Sequence, residues 1–207
     1  ETYIDRSNWD RANEEINVAL SLAPDDPEVL RAYGYILEKQ GKYRQALEAY
    51  LKAQELSPHL YYLYIRAGNL YIILKKGNEA LAQFNKAVEV APDLPMPYDA
   101  LGWGYYQLQD LDRAEVELKK AIEIDPDYGP AYGHLGVVYY VQRKYEDAIP
   151  NLEKAIELGV KSVEYYYELG LSYVFLGLCE QALPWLEKAL EIDPYSEPAL
   201  WGLSQCQ

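Results

Sequence analysis

Two histidines, two cysteines and a spread of carboxylates are the residues of this 207-residue chain that could act as bases, nucleophiles or metal ligands. His59 and His134 are far apart in sequence. No His-Glu-x-x-His pair, phosphate-cradling Gly-x4-Gly-Lys or Gly-x-Ser-x-Gly elbow occurs anywhere in the chain. Cys179 and Cys206 lie outside any Cys-x-x-Cys motif and make no zinc pattern with the two histidines. Cys179 reads as a small buried residue at a helix start, and a Cys179–Cys206 bridge is left open. Acids often stand beside bases, as in Glu153-Lys154 and Glu187-Lys188, in the manner of solvated helix faces. The Asp125-Pro126-Asp127 turn reads as a helix terminator rather than a cation site. The residues therefore predict no enzyme, no cofactor and no metal.

The remaining composition narrows the partner classes. Acids outnumber bases 33 to 19, a formal charge of −14. A phosphate-binding surface needs clustered Lys and Arg, so nucleic acid and anionic membranes are not expected partners. No apolar run approaches the roughly 20 residues that span a bilayer, so direct membrane insertion is not expected. The sequence starts at Glu1 with no charged-then-apolar stretch, which leaves the location open with the cytoplasm as the favoured expectation. Tyrosine is abundant, at 22 residues against two phenylalanines.

A 34-residue period organises the elements that would position all of these groups. Pro24, Pro58, Pro92, Pro126 and Pro194 fall on one grid, with Val160 in the slot of a sixth proline. Gly34, Gly68, Gly102, Gly136 and Gly170 fall on it too, as do Ala12, Ala46, Ala80, Ala114, Ala148 and Ala182. Within each unit the apolar residues recur at helical spacing, as with Tyr132, Leu135 and Tyr139, then Ala148, Leu152 and Ala155. Each unit thus predicts two helices, with the glycine and alanine columns marking where they cross closely. The expected division is a partial unit over 1–26 (the end of a first helix, then a second helix), full units over 27–60, 61–94, 95–128, 129–162 and 163–196, and a further start or short capping helix over 197–207. A fragment of a longer array is the favoured reading of these ends.

These columns resemble the tetratricopeptide repeat (TPR) family. Unit three shows the likeness as Tyr98-x2-Leu101-Gly102-x2-Tyr105, followed by Ala114, Leu118, Ala121 and Pro126. The resemblance implies an all-α, right-handed superhelical solenoid of antiparallel helix pairs. It also implies a concave groove lined by repeat positions 2, 5, 9, 12 and 13 of the first helices. Carried onto this chain, the groove candidates are Tyr62, Ile65, Asn69 and Ile73 in unit two, and Asp99, Trp103 and Tyr106 in unit three. Unit four adds Val137, Tyr140 and Val141, and unit five Tyr167, Leu171 and Phe175. The family usually has Asn at position 9 and Lys at position 13. Here Trp103, Val137 and Leu171 stand at the former, and Ile73, Val141 and Phe175 at the latter. The Lys/Asn carboxylate clamp of chaperone-binding members cannot be assembled, and Asn69 alone remains of the backbone-gripping asparagine ladder.

An apolar wall of this kind predicts a protein-interaction scaffold whose groove takes an apolar, aromatic-containing peptide or helix of a partner. Glu28, Asp99 and Glu164 add an expectation of basic flanks on that partner. The alternatives are self-association into a homo-oligomer through the groove or the repeat ends, and an apolar small ligand or lipid.

Overall fold

The structure, a computed structural model, describes residues 6–206, and among these every regular element is an α-helix. Two compact units divide the chain, residues 1–92 and 93–207. The first holds α1 (Arg6–Leu22), α2 (Pro27–Lys39), α3 (Tyr43–Leu56), α4 (Tyr61–Ile73) and α5 (Gly77–Val90). The second holds α6 (Pro95–Gln107), α7 (Leu111–Ile124), α8 (Gly129–Val141), α9 (Tyr145–Glu157), α10 (Val163–Phe175), α11 (Cys179–Ile192) and α12 (Glu197–Gln205). No helix among the described residues is long and apolar enough to cross a membrane.

Helices α2, α4, α6, α8, α10 and α12 all start on the 34-residue grid, as do α3, α5, α7, α9 and α11. The first turn is marked by proline at N1 or N2 of α2, α6, α8 and α12, where the missing N–H costs nothing. Asp26 caps α2, its carboxylate accepting from the N–H of Glu28 at 2.8 Å and of Val29 at 3.1 Å. Each first helix from α2 to α10 ends alike. The residue one beyond its cap adopts a left-handed conformation, in Gly41, Lys75, Gln109, Arg143 and Gly177. The following N–H then closes onto a carbonyl of the last turn, as Lys76 does on Tyr71 at 2.8 Å.

The glycine column has a direct packing cause. A β-carbon built on Gly34, Gly68, Gly102, Gly136 or Gly170 would lie 2.5–2.8 Å from Tyr50, Phe84, Leu118, Leu152 or Leu186, respectively. Each of those five side chains is fully buried. Position 8 of one helix is therefore the socket for position 24 of the next. The alanines from Ala46 to Ala182 on the grid are likewise fully buried. In unit four the proline slot holds Val160, and α9 ends through Gly159 (φ 87°) instead of an Asp-Pro turn. Asp125 accepts from the Asp127 N–H at 3.0 Å, a local turn in the Asp-Pro-Asp segment.

One expectation is corrected here and one open alternative is decided. Residues 6–8, assigned by the repeat to the end of a first helix, are continuous with α1, while residues 1–5 lie outside the described residues. The bridge left open between Cys179 and Cys206 is present as a disulfide. Packing of α12 against α10 and α11 brings their Cα atoms to 5.4 Å, within ordinary disulfide reach.

Candidate binding surface

The first helices of the second unit pack side by side, α6 on α8, α8 on α10 and α10 on α12. Their sequences contain four acids, Asp99, Glu164, Glu168 and Glu197, and neither Lys nor Arg. All eight bases of residues 93–207 sit on the second helices or in turns, against 20 acids in that unit. Residues 1–92 carry 13 acids and 11 bases. The net negative charge of the chain is thus concentrated in the second unit.

An aromatic run crosses this layer. Trp103 stacks on Tyr106 (ring centroids 4.5 Å apart) and on His134 of α8 (4.3 Å). His134 Nδ1–H donates to Asp99 Oδ1 at 2.7 Å, and the Tyr128 hydroxyl donates to Asp99 Oδ2 at 3.3 Å. The ring of Tyr165 fills the space that a side chain at Gly133 would need, since a β-carbon there would lie 2.2 Å from it. At the far end, Phe175 stacks on Tyr145 at 4.7 Å and lies 6.3 Å from Tyr140 and 5.7 Å from Trp201. An open pocket of about 530 Å³ is lined there by Tyr140, Val141, Arg143, Tyr145 and Phe175. Val141, Phe175 and Trp201 are 40%, 46% and 45% exposed, a contiguous apolar surface of a kind that isolated surface residues do not make.

Several candidate residues change status. Val137 is fully buried and Leu171 nearly so, so neither is a contact surface. Leu171 is covered because Gly202 lets α12 approach: a β-carbon on Gly202 would meet Leu171 Cδ2 at 2.8 Å. Asp99 is also buried, its two oxygens used by His134 and Tyr128, which removes it as a contact for basic flanks. Trp103, Tyr106, Tyr140 and Tyr167 are half-buried, and Val141 and Phe175 exposed. Trp201 and Tyr145 were missed by the sequence reading. Trp201 occupies position 5 of the segment starting at Glu197, and the same five-position rule carried past residue 196 would have found it.

In the first unit, α4 presents Tyr62 and Ile65 half-buried, and Asn69 and Ile73 exposed. The Tyr62 hydroxyl donates to Glu28 at 2.5 Å, and Glu28 also pairs with Arg31 at 2.7 Å. These two bonds hold the Glu28 carboxyl below its ordinary range, Tyr62 first. Tyr35 lies between Lys39 and Arg66, whose charges are 5.4 and 5.7 Å from its ring. This face therefore sets paired charges beside an exposed Ile73, unlike that of the second unit, whose first helices carry no base. Glu28 is neutralised locally, which weakens its reading as a contact for basic flanks.

One acid of the second unit has no such arrangement. Glu168 is 4% exposed, and its Oε2 is buried without a hydrogen-bond partner. Burial, and then the neighbouring charge of Glu164, push its carboxyl well above the usual range. The folded chain thus holds a proton there that the unfolded chain has already lost. Stability must fall as pH rises from the ordinary carboxyl range towards the folded value. Glu168→Gln, which keeps the shape and removes the titration, is expected to flatten that slope and to raise stability at neutral pH. Urea unfolding at pH 5 and pH 8 measures it, and an unchanged slope in the variant would exclude Glu168 as its source.

Among the described residues no group of three or more His, Cys, Asp or Glu could hold a metal ion. A comparison with curated proteins finds no match. A family model described as the C-terminal domain of cilia and flagella-associated protein 70 matches residues 8–207. Among solved structures, the chain is similar to YrrB, described as a TPR protein with an unusual peptide-binding site. The identity is 23%, over 91% of this chain and 97% of that one, with a TM-score of 0.61. It is similar to MamA at 26% identity, over 80% of this chain and 90% of that one, with a TM-score of 0.62. It also matches a chain of the Cut9–Hcn1 hetero-tetramer of APC/C at 17% identity, over 96% of this chain and 42% of that one, with a TM-score of 0.80. Proteins of this fold are in general non-catalytic interaction scaffolds. With its columns of buried glycine and alanine and its match over nearly the whole length, the chain belongs to the tetratricopeptide repeat family, in the group described by the C-terminal domain of cilia and flagella-associated protein 70.

Proposed function

We propose that the chain is a non-catalytic scaffold, and that the first-helix layer of its second unit binds an apolar, aromatic-containing peptide or helix of a partner protein that also carries basic residues. The observation that carries this reading is the exposed cluster of Val141, Phe175 and Trp201 beside Tyr140 and Tyr145, on helices that have acids and no bases. Aromatic anchors around a pocket are the usual centres of binding energy, and the acids of these helices, with Arg143 the one base lining the pocket, favour a basic partner over an acidic one. The α4 face of the first unit, with Tyr62, Ile65, Asn69 and Ile73, is a second candidate patch, set among paired charges. The peptide-binding site described for YrrB is in line with this use of the fold. The family description makes proteins of cilia and flagella the place to seek the partner.

Selection of a displayed random 12-residue peptide library on the full chain tests the proposal. Enriched peptides should combine aromatic or aliphatic residues with Lys or Arg, and a Phe175→Ala/Trp201→Ala chain should fail to retain them. No enrichment, or equal retention by the double variant, would overturn it. Light scattering over a concentration series separates the rival use of the same face in self-association, which requires a mass that grows with concentration.

A further inference from the structure

We propose that Tyr106, Tyr140 and Tyr167, with Glu168 behind them, form a seat for one lysine or arginine side chain of the bound peptide. The inference rests on the reading of the second unit as a peptide-binding face, and adds to it a specific subsite and its chemistry.

The starting observation is that the Glu168 acid has no structural employment. The repeat pairs position 9 of one first helix with position 6 of the next, 31 residues on. Tyr35 meets Arg66 in this way, Trp103 stacks on His134, and Leu171 lies against the bare backbone of Gly202. Each pair is chemically matched. By repeat position alone the counterpart of Glu168 is Val137, an acid where the partner residue is apolar. A buried polar group without a partner costs free energy that a glycine, alanine or glutamine there would avoid. Its Oε2 is buried with no hydrogen-bond partner among the described residues.

The surroundings specify what could serve as the missing partner. The charge of Glu168 is felt by Tyr106 on α6, by Tyr140 on α8, and by Tyr165 and Tyr167 on α10. Glu164, one turn earlier on α10, is the other ionisable side chain whose charge acts on Glu168. Tyr165 is sealed over Gly133, whereas Tyr106, Tyr140 and Tyr167 are only partly buried. Aromatic rings around a carboxylate attract a cation through both the ring quadrupole and the charge. No Lys or Arg on α6, α8, α10 or α12 competes for the place. An ammonium or guanidinium group settling against these rings would draw Glu168 into its ionised form, its proton passing to solvent. The seat therefore binds more tightly as pH rises, until Glu168 is fully ionised.

The full chain labelled with 13C in its tyrosine rings can be titrated with N-acetyl-lysinamide, N-acetyl-argininamide and the neutral N-acetyl-norleucinamide, followed by NMR. The seat predicts saturable shifts of Tyr106, Tyr140 and Tyr167 with the lysine or arginine probe, and affinity for norleucine lower by about tenfold or more. It also predicts affinity for the cation that rises with pH above the ordinary carboxyl range, and that Glu168→Gln loses both the affinity and the pH dependence. Equal shifts with norleucine would overturn the seat while leaving an apolar peptide face intact. Unchanged lysine binding by Glu168→Gln, or no shift with any probe, would also overturn the seat. The wider peptide face stands or falls separately, on retention of selected peptides by the Phe175→Ala/Trp201→Ala chain.

Discussion

Replacing Phe175 and Trp201 together by alanine is expected to weaken capture of a selected peptide on the order of 100-fold. Both side chains are nearly half exposed in the free protein, so a bound peptide can still bury much of their apolar area. Truncating a central aromatic anchor typically costs about 2 kcal/mol or more. The two rings touch, with centroids 5.7 Å apart, so their losses should fall short of additivity. A joint loss of about 3 kcal/mol corresponds to the fold-change above. Because each ring is open on one side, the cost to folding should be small. Helicity by circular dichroism should therefore be retained while binding disappears. Val116→Ala provides the control: Val116 is 63% exposed on α7, away from this layer, and its loss should leave capture unchanged.

Removal of the Cys179–Cys206 bridge is the second large expected effect. It closes a span of 27 residues between the start of α11 and the end of α12. In the chain-entropy account, opening such a loop costs about 3.5 kcal/mol. The position of the bridge makes that loss local. Helix α12 has nine residues, too few to persist alone in water. It is held otherwise by the burial of Ala199 and by the contact of Gly202 with Leu171 and Leu186. Once α12 frays, Leu171 is uncovered and Trp201 leaves Phe175. A Cys179→Ser/Cys206→Ser chain, or the parent under reductant, should therefore lose thermal stability and bind selected peptides less tightly. Equal melting temperature and affinity in the two forms would show that packing alone fixes α12.

Much of the fold was legible because one packing rule is written repeatedly at fixed spacing. The glycine at position 8 must face a large residue sixteen positions on, and the sequence displays both columns without reference to anything distant. The candidate site was legible only as a face. Repeat position tells which way Val137 and Leu171 point, but not whether the next helix closes over them. That depends on a third residue, such as Gly202, which permits the approach. Asp99 looked like a groove acid because its partners, Tyr128 and His134, lie 29 and 35 residues away. Glu168 fell outside the five-position rule, and only its burial without a partner distinguishes it from the many solvated acids. The disulfide joins two residues whose nearness depends on how α12 packs back on α11, and spacing alone could not decide it.

The most direct measurement uses the four tryptophans as reporters. Trp103 and Trp201 belong to the proposed face, whereas Trp185 lies on α11 and Trp9 on α1. In the full chain labelled with 5-fluorotryptophan, saturation with a selected peptide should move the 19F resonances of Trp103 and Trp201 and leave those of Trp185 and Trp9 in place. Movement of Trp185 or Trp9 without Trp103 and Trp201 would contradict the account and place the binding surface elsewhere on the chain.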